Sequence, residues 1–536
     1  MDEDIELELL PLEIMYPNEM LLDYLKKKNP MYDYFGSSTD KLHPIKYPGD
    51  RGILKEILTK YNKSIGAPNE VMANLEQVDN KNTHFVITGQ QPGFLTGPLY
   101  TIYKTLSAIN YAERYSTKDM KLIPLFWNAS EDHDVEEVNN IWILNKENDI
   151  EPVKVEDETM YGKSLESIDI DRNKFDDLIN CMEETFPKTD FSDTVFNEII
   201  RGELNKSKKW GEYFSRLLSK LMGQWGLTVI EPYVLRPYLK EYFTSLATNP
   251  IEYNNIFLHN TDKLTEMGYK PKMHKKENVV GLFYIDEKNY RNTISVNDNN
   301  EYEIMNNDSM SKEEIINEIS AHPECFSTNA IFRPIAQDLM FPTYLFVGGP
   351  SEIGYHIQIR DLYKKFDLVQ PNLFFRMGAT IIERHINKII DKYEFDITDL
   401  RDVNRLTNTM AASENKEFLD NYFNQISTTL DNLNKDLMNI NKELGSRAEF
   451  RKKSIMKELD GIEKMFTRHT KENNVIMQNQ LNKARSYLFP SDKPQERVFN
   501  IFQYLNKYSP KLLACIKNLS SQSEPGNHVV LKCWMF

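Results

Sequence analysis

Three short stretches of the chain carry residue types that do chemistry. The first is Gly89-Gln90-Gln91-Pro92-Gly93-Phe94-Leu95-Thr96-Gly97-Pro98. Glycines at Gly89, Gly93 and Gly97 let the backbone come close to a ligand. A helix starting behind them offers N–H groups and the positive end of its dipole to a carboxylate or phosphate. Gln90, Gln91, Thr96 and Tyr100 add neutral donors, and Lys104 adds a cation one turn into that helix. The loop is neither a P-loop nor G-x-G-x-x-G. On spacing alone, a ligand cradle and a tight turn packed through its glycines are equal readings.

The second stretch is Trp127 followed by Asn128-Ala129-Ser130-Glu131-Asp132-His133-Asp134. A histidine flanked by carboxylates works as a base or proton shuttle. The carboxylates Glu131, Asp132 and Asp134 are also a donor set for Mg²⁺ beside a nucleotide. The plainer reading is an acidic loop capping a helix that begins near Val135. The third stretch, Gly348-Gly349-Pro350-Ser351-Glu352-Ile353-Gly354-Tyr355-His356, repeats the pattern of glycines followed by ionisable groups. Arg333 and Arg376 lie in flanking segments and suit bidentate pairing with a substrate carboxylate. A lone arginine more often pairs with a structural Asp or Glu.

The elements around these stretches read as α/β. His84–Thr88, Leu122–Trp127, Leu227–Ile230, Tyr344–Val347 and Asn372–Phe375 are short apolar strand candidates. Leu99, Ile102, Tyr103, Leu106 and Ile109 mark one face of a helix between the first two, with Pro98 in its first turn. Strand–helix–strand with such strands predicts a parallel sheet buried on both faces, with its ligands at the carboxyl edge. Gln90, Thr96 and His133 are therefore expected to share one pocket. Pro124 predicts a bulge or a strand end. The first 75 residues read as helices and loops. Two insertions, near 141–170 and 268–305, interrupt the core. Beyond residue 385, Ile426, Leu430, Leu433, Leu437, Ile440 and Leu444 form a heptad seam. Ile455, Leu459, Ile462, Phe466 and His469 continue it after a reversal expected at Gly445, and the seam weakens at Asn473. The expected organisation is a core over 1–384, a coiled-coil domain over 385–489, and a C-terminal segment, 490–536, docking on the core through Trp534 and Phe536.

Composition narrows the classes. The 536 residues hold 65 Lys plus Arg against 80 Asp plus Glu, a net charge of −15, and are 40% apolar. Collagen-like, disulfide-scaffold and wholly disordered chains are excluded. The acidic balance argues against nucleic acid as the main ligand. Cys181, Cys325, Cys515 and Cys533 form no C-x-x-C pair, so no zinc is expected. The acidic start lacks the positive region of a signal peptide, and no apolar run reaches the ~18 residues that span a bilayer. A cytoplasmic protein with reduced thiols, and no membrane partner, is expected.

Together the motifs resemble the bacillithiol biosynthesis cysteine-adding enzyme family. The resemblance is carried by Thr88 through Ile102, Phe126-Trp127 with Glu131-Asp132-His133-Asp134, Phe326-Ser327-Thr328-Asn329, Arg333-Pro334, Gly349 through Ile353, and Glu383-Arg384-His385-Ile386. Pro494-Gln495-Glu496-Arg497 with Tyr504-Leu505-Asn506 extends it toward the end. The chain departs from the family pattern at Pro92, Tyr103, Asn128-Ala129-Ser130 and Gly354-Tyr355-His356. The resemblance implies a Rossmann-type core like that of class I aminoacyl-tRNA synthetases, with two inserted connecting segments and an α-helical coiled-coil domain that takes part in a homodimer. The implied reaction joins the carboxylate of L-cysteine to the amine of glucosaminyl-malate. By analogy with the core, ATP is the expected cosubstrate, with Mg²⁺ as its companion. His133 is the expected base, with Asp132 and Glu131 beside it. Gly89, Gln90, Gln91, Gly93, Thr96, Gly97, Tyr100, Lys104, Trp127, Asp134, Arg333, Glu352, Tyr355 and Arg376 are the expected binding residues. Two rivals are an adenylate-forming ligase or nucleotidyltransferase for another amino acid or thiol, and a nonenzymatic coiled-coil scaffold.

Overall fold

The computed structural model describes residues 5–35, 45, 47–274, 278–304, 308–407, 417–522 and 527–534. The chain forms two compact units, Met1–Ile382 with Lys493–Phe536, and Glu383–Asp492.

The first unit is built on a five-stranded parallel sheet in the order Asn372–Phe375, Thr343–Gly348, Thr83–Gln90, Lys121–Asn128, Thr228–Ile230. With the strands numbered along the chain this is 3-2-1-4-5 read from the Thr228–Ile230 edge, the Rossmann order. The order reverses between Thr83–Gln90 and Thr343–Gly348, so their carboxyl ends open a crevice. The crossover helix Leu99–Tyr115 is buried at Leu99 and from Thr101 through Ala112, which its apolar and small residues permit. Pro98 stands at its N-cap, one residue ahead of the first turn. Pro124 lies within the sheet opposite Val86 without a bulge. The ladder on its other side begins only at Leu125, so the proline interrupts no pairing there.

The insertions add two antiparallel structures. Asn140–Leu144 pairs with Ile150–Lys154. Val279–Ile285, Arg291–Val296, Tyr302–Ile304 and Asp308–Met310 form a sheet with Phe326–Thr328. Gly162–Ser164 joins the two insertions, since Arg291 N–H donates to Gly162 O at 3.0 Å and Ser164 N–H to Asn289 O at 3.1 Å.

The N-terminus departs from the reading of helices and loops. Ile5–Pro11 is a strand, antiparallel to Asn527–Cys533 in a sheet that continues to Gly378–Glu383. Its partner lies over 500 residues away, and only that partner makes the short alternating segment a strand. Of the expected terminal aromatic pair, Trp534 is half-buried and Phe536 lies outside the described residues.

The second unit contains the helices Arg384–Tyr393, Glu417–Ile440 and Lys442–Leu488. The reversal falls at Asn441, whose extended backbone breaks the helix and whose side chain accepts Glu443 N–H at 2.7 Å. Gly445 is not the turn. It lies inside the longer helix, where a Cβ would come within 2.3 Å of Met438 Cγ, so it marks a close helix contact. The expected seam also differs. Leu433 is 52% and Ile440 74% exposed, and Ile426, Leu444, Ile455 and Ile462 also face solvent. Of the expected positions, Leu430, Leu437 and Leu459 do turn from solvent, joined by Met456, with Lys452 paired to Asp431 at 2.5 Å and Asn434 donating to Glu449 at 2.7 Å. The side chains of His469 and Asn473 lie outside the described residues.

Candidate active site

A cavity of about 330 Å³ opens at the point where the strand order reverses. Each of the three chemical stretches reaches it. Gly89, Gln90, Gln91, Tyr100 and Lys104 come from the first strand and its helix, Trp127, Glu131 and Asp132 from the second strand, and Glu352 and Tyr355 from the fourth strand's exit. Arg333 and Arg376 complete the part anticipated from sequence.

Lys104 is the buried hub. Its Nζ donates to Gly89 O at 2.9 Å, Gln90 Oε1 at 3.0 Å and Glu352 Oε2 at 2.5 Å. Burial pulls its ammonium below the usual lysine range, against the opposing charge of Glu352. Glu352 is itself oriented by Gly349 N–H at 2.9 Å, at the start of the helix Pro350–Gln358. Arg333 donates to Gln337 Oε1 at 3.1 Å and Tyr355 OH at 2.9 Å. Burial pushes the Tyr355 hydroxyl up to about 12 despite Arg333.

Arg376 takes the structural fate open to a lone arginine. It forks onto Glu496, with Nη2–Oε1 at 2.5 Å and Nη1–Oε2 at 3.1 Å, and also donates to Met377 O at 2.8 Å. Tyr16 OH donates to the same carboxylate, and Ala379 N–H does so at 3.0 Å. Arg376 thus borders the cavity with its donors committed to the fold.

The acidic run divides. Leu165 N–H donates to Asp132 O and Glu166 N–H to Ser130 O, each at 2.8 Å, so the first insertion fixes its backbone. Glu131 is buried, and burial pushes its carboxyl up while Arg291 and Arg236 hold it down. Asp132 faces the cavity and accepts from Gln91 Nε2 at 2.8 Å, an amide that also reaches Glu137 Oε2 at 2.8 Å. His133 stands behind Asp132, outside the cavity lining, with its Nδ1 3.6 Å from Asp132 Oδ1 and 3.4 Å from Arg291 Nη1. Burial and Arg291 lower its pKa, and Asp132 and Asp134 oppose them. Asp134 is exposed at the N-cap of the short helix Val135–Val138 and makes no side-chain cap bond. With Glu131 turned to arginines and Asp132 to an amide, the run offers a Mg²⁺ ion no gathered donor set. Among the described residues no three His, Cys, Asp or Glu side chains are grouped to hold a metal.

The expected pocket of Gln90, Thr96 and His133 therefore does not form as one. Gln90 lines the cavity, whereas Thr96 is buried in the loop with a left-handed backbone and an unpartnered hydroxyl. Gly93 packs so tightly on Gly97 that a Cβ would lie 2.7 Å from the Gly97 Cα, and Gly97 has φ +69°. These glycines make the turn. They border a second cavity of about 430 Å³ that shares Gln90, Gln91, Tyr100 and Arg497 with the first. The helix start is partly plugged. Leu99 N–H donates to Phe499 O at 2.8 Å, and Asn500 Nδ2 binds Leu95 O and Gly97 O at 2.7 Å each.

Sequence reasoning missed Arg291, Thr328, Ser351 and Arg497, all of which line the first cavity. Arg497 stood inside the motif Pro494-Gln495-Glu496-Arg497 and carried a signal. Arg291 carried none, because its place depends on how the second insertion folds over the core.

A Rossmann-ordered sheet with ionisable side chains converging where its order reverses defines an α/β protein with a Rossmann-like core and a candidate active site at its switch point, here joined to a helical hairpin. Residues 7–377 match the family description "Bacillithiol biosynthesis BshC, N-terminal Rossmann-like domain", and residues 379–533 match "Bacillithiol biosynthesis BshC, C-terminal coiled-coil domain". The chain belongs to the bacillithiol biosynthesis BshC family. A Bacillus cytotoxicus protein is 30% identical over 499 residues, covering 89% of this chain and 90% of its own length. A Bacillus cereus protein (strain B4264) is 26% identical over 548 residues, covering 97% and 99%. Both are named "Putative cysteine ligase BshC". Among the described residues no helix is long and apolar enough to cross a membrane.

Proposed function

We propose that the protein is a carbon–nitrogen ligase that joins the carboxylate of L-cysteine to the amine of glucosaminyl-malate, the last step of bacillithiol biosynthesis, in the cytoplasm. The family match across both units carries this reading. The cavity suits it chemically, with cations and carboxylates around a space for small polar substrates.

Amide formation needs a neutral amine. Of the carboxylates that line the cavity, Asp132 is the one partly open to solvent and not hydrogen-bonded to a cation, and we assign it as the group that meets the amine, with the neutral His133 ring 3.6 Å beyond it as the base. The other candidate bases are committed, Glu131 being buried against Arg236 and Arg291. Glu352 is held by Lys104 and Gly349, and His356 is enclosed between Phe346 and Tyr355 with ring centroids 4.1 and 5.0 Å away. ATP is the cosubstrate we assign, and it would supply the leaving group that makes the carboxylate reactive. The second cavity sets Lys493, Arg497 and the buried Thr101 hydroxyl against Glu136 and Glu137, and we assign its basic side to the phosphates.

Thiol analysis of cells with and without the protein tests the reading. Without it, bacillithiol is expected to vanish and glucosaminyl-malate to accumulate, whereas unchanged thiols would refute the assignment.

The apolar stripe on the hairpin supports a homodimer. Leu433 and Ile440 are exposed in the single chain, so lysine at both leaves the hairpin's own packing intact. The double variant is expected to sediment as a monomer with unchanged helix content. A dimer of unaltered mass would remove this stripe as the interface.

A further inference from the structure

Five cations line the first cavity, and they differ in what holds them. Lys104 and Arg376 are each matched by a carboxylate at 2.5 Å, and Arg497 is exposed. Arg333 is half-buried, with neutral oxygens only as its hydrogen-bond partners among the described residues. Arg291 is more tightly held. Its Nε donates to Ser327 Oγ at 3.0 Å and its Nη2 to Thr328 O at 2.7 Å, while its guanidinium lies 3.9 Å over the Phe283 ring. Three sides of the group are thus fixed. Its Nη1 has only long contacts, 3.4 Å to His133 Nδ1 and 3.6 Å to Asp132 Oδ1. A planar fork fixed through Nε, Nη2 and its face, with Nη1 held only by these two long contacts, is a preorganised carboxylate receptor.

We propose that Arg291, carried into the site by the second insertion, is a specificity-determining residue that works with Arg333 as a two-point clamp for a dicarboxylate. Arg291 begins the strand Arg291–Val296 of the inserted sheet, and Arg333 begins the helix Arg333–Met340 of the core. An acid with one carboxylate engages one arm, and an acid with two engages both. The insertion thereby reads the acceptor's acid part, and Glu131 and Asp132 keep the empty clamp from being a bare cluster of positive charge. This inference rests on the reading of this cavity as the ligase's acceptor site.

Calorimetric titration of the full chain with malate and with lactate, which lacks the second carboxylate, tests it without cysteine or nucleotide. The native protein is expected to bind malate at least ~10-fold more tightly than lactate, the size of one charge-assisted contact. Arg291→Gln should erase that preference and leave lactate binding unchanged, and Arg291→Lys should restore only part of it. Ser327→Ala removes an anchor but no charge, and should weaken malate alone in the same direction even if Arg291→Gln folds poorly. Malate preference unchanged in Arg291→Gln, or unchanged in Ser327→Ala where Arg291→Gln does not fold, would overturn the clamp. So would equal weakening of both acids. A protein that keeps the clamp yet forms no amide would instead remove the ligase reading.

Discussion

Arg376→Met is expected to destabilise the first unit by about 3–5 kcal/mol, the usual cost of breaking a buried ion pair from one side. Arg376 is 2% exposed and Glu496 fully buried, and the change leaves the carboxylate with the Tyr16 hydroxyl and the Ala379 N–H but no cation, and the Met377 carbonyl without its donor. With whole-domain stabilities of ~5–15 kcal/mol, that is a large share. Replacing both partners, Arg376→Met with Glu496→Leu, removes the stranded charge and should recover much of the loss. Urea unfolding followed by tryptophan fluorescence reads both variants. Lost activity at an unchanged unfolding midpoint would instead make Arg376 a substrate ligand.

That arginine shows where sequence reading stops. Phe375-Arg376-Met377 gives an arginine at a strand end, where ligands bind, yet its partner Glu496 is 120 residues away and reaches it only through the folded C-terminal segment. The parallel sheet was legible because strands buried on both faces must be runs of apolar residues, as in His84–Thr88 and Asn372–Phe375. Ile5–Pro11 was not, because its pairing is entirely nonlocal. The heptads were legible as helices and only in part as a seam, since Leu430, Leu437 and Leu459 turn inward while Leu433 and Ile440 face solvent. A 4-3 stripe states which residues share a face and leaves open whether that face meets its own hairpin or solvent. Of the site, the loops at three strand exits announced Gln90, Lys104, Asp132 and Glu352. The same loops suggested Thr96 and Gly97, which the turn's own packing withdraws from the first cavity. Arg291 belongs to an inserted sheet, and nothing local to it says what it faces.

His133→Ala is expected to lower ligase turnover by ~10²-fold or more while preserving the fold. Its ring is half-buried beside Phe283, so the loss of packing is modest. The pH dependence separates a base from a packing residue. Burial first, and then Arg291, hold the His133 pKa below the ordinary 6.5. The imidazole is therefore neutral and ready to accept a proton at pH 7, and kcat/KM should rise with pH through a value below 6.5 before levelling. Asp132 pulls the other way by favouring the protonated ring, so Asp132→Asn should move that limb to lower pH. Arg291→Gln removes a depressing charge and should move it higher. His133→Ala should abolish the limb together with most of the rate. If the limb survives in His133→Ala, or stays in place in both neighbouring variants, then the proton leaves through Asp132 alone and His133 only closes the loop.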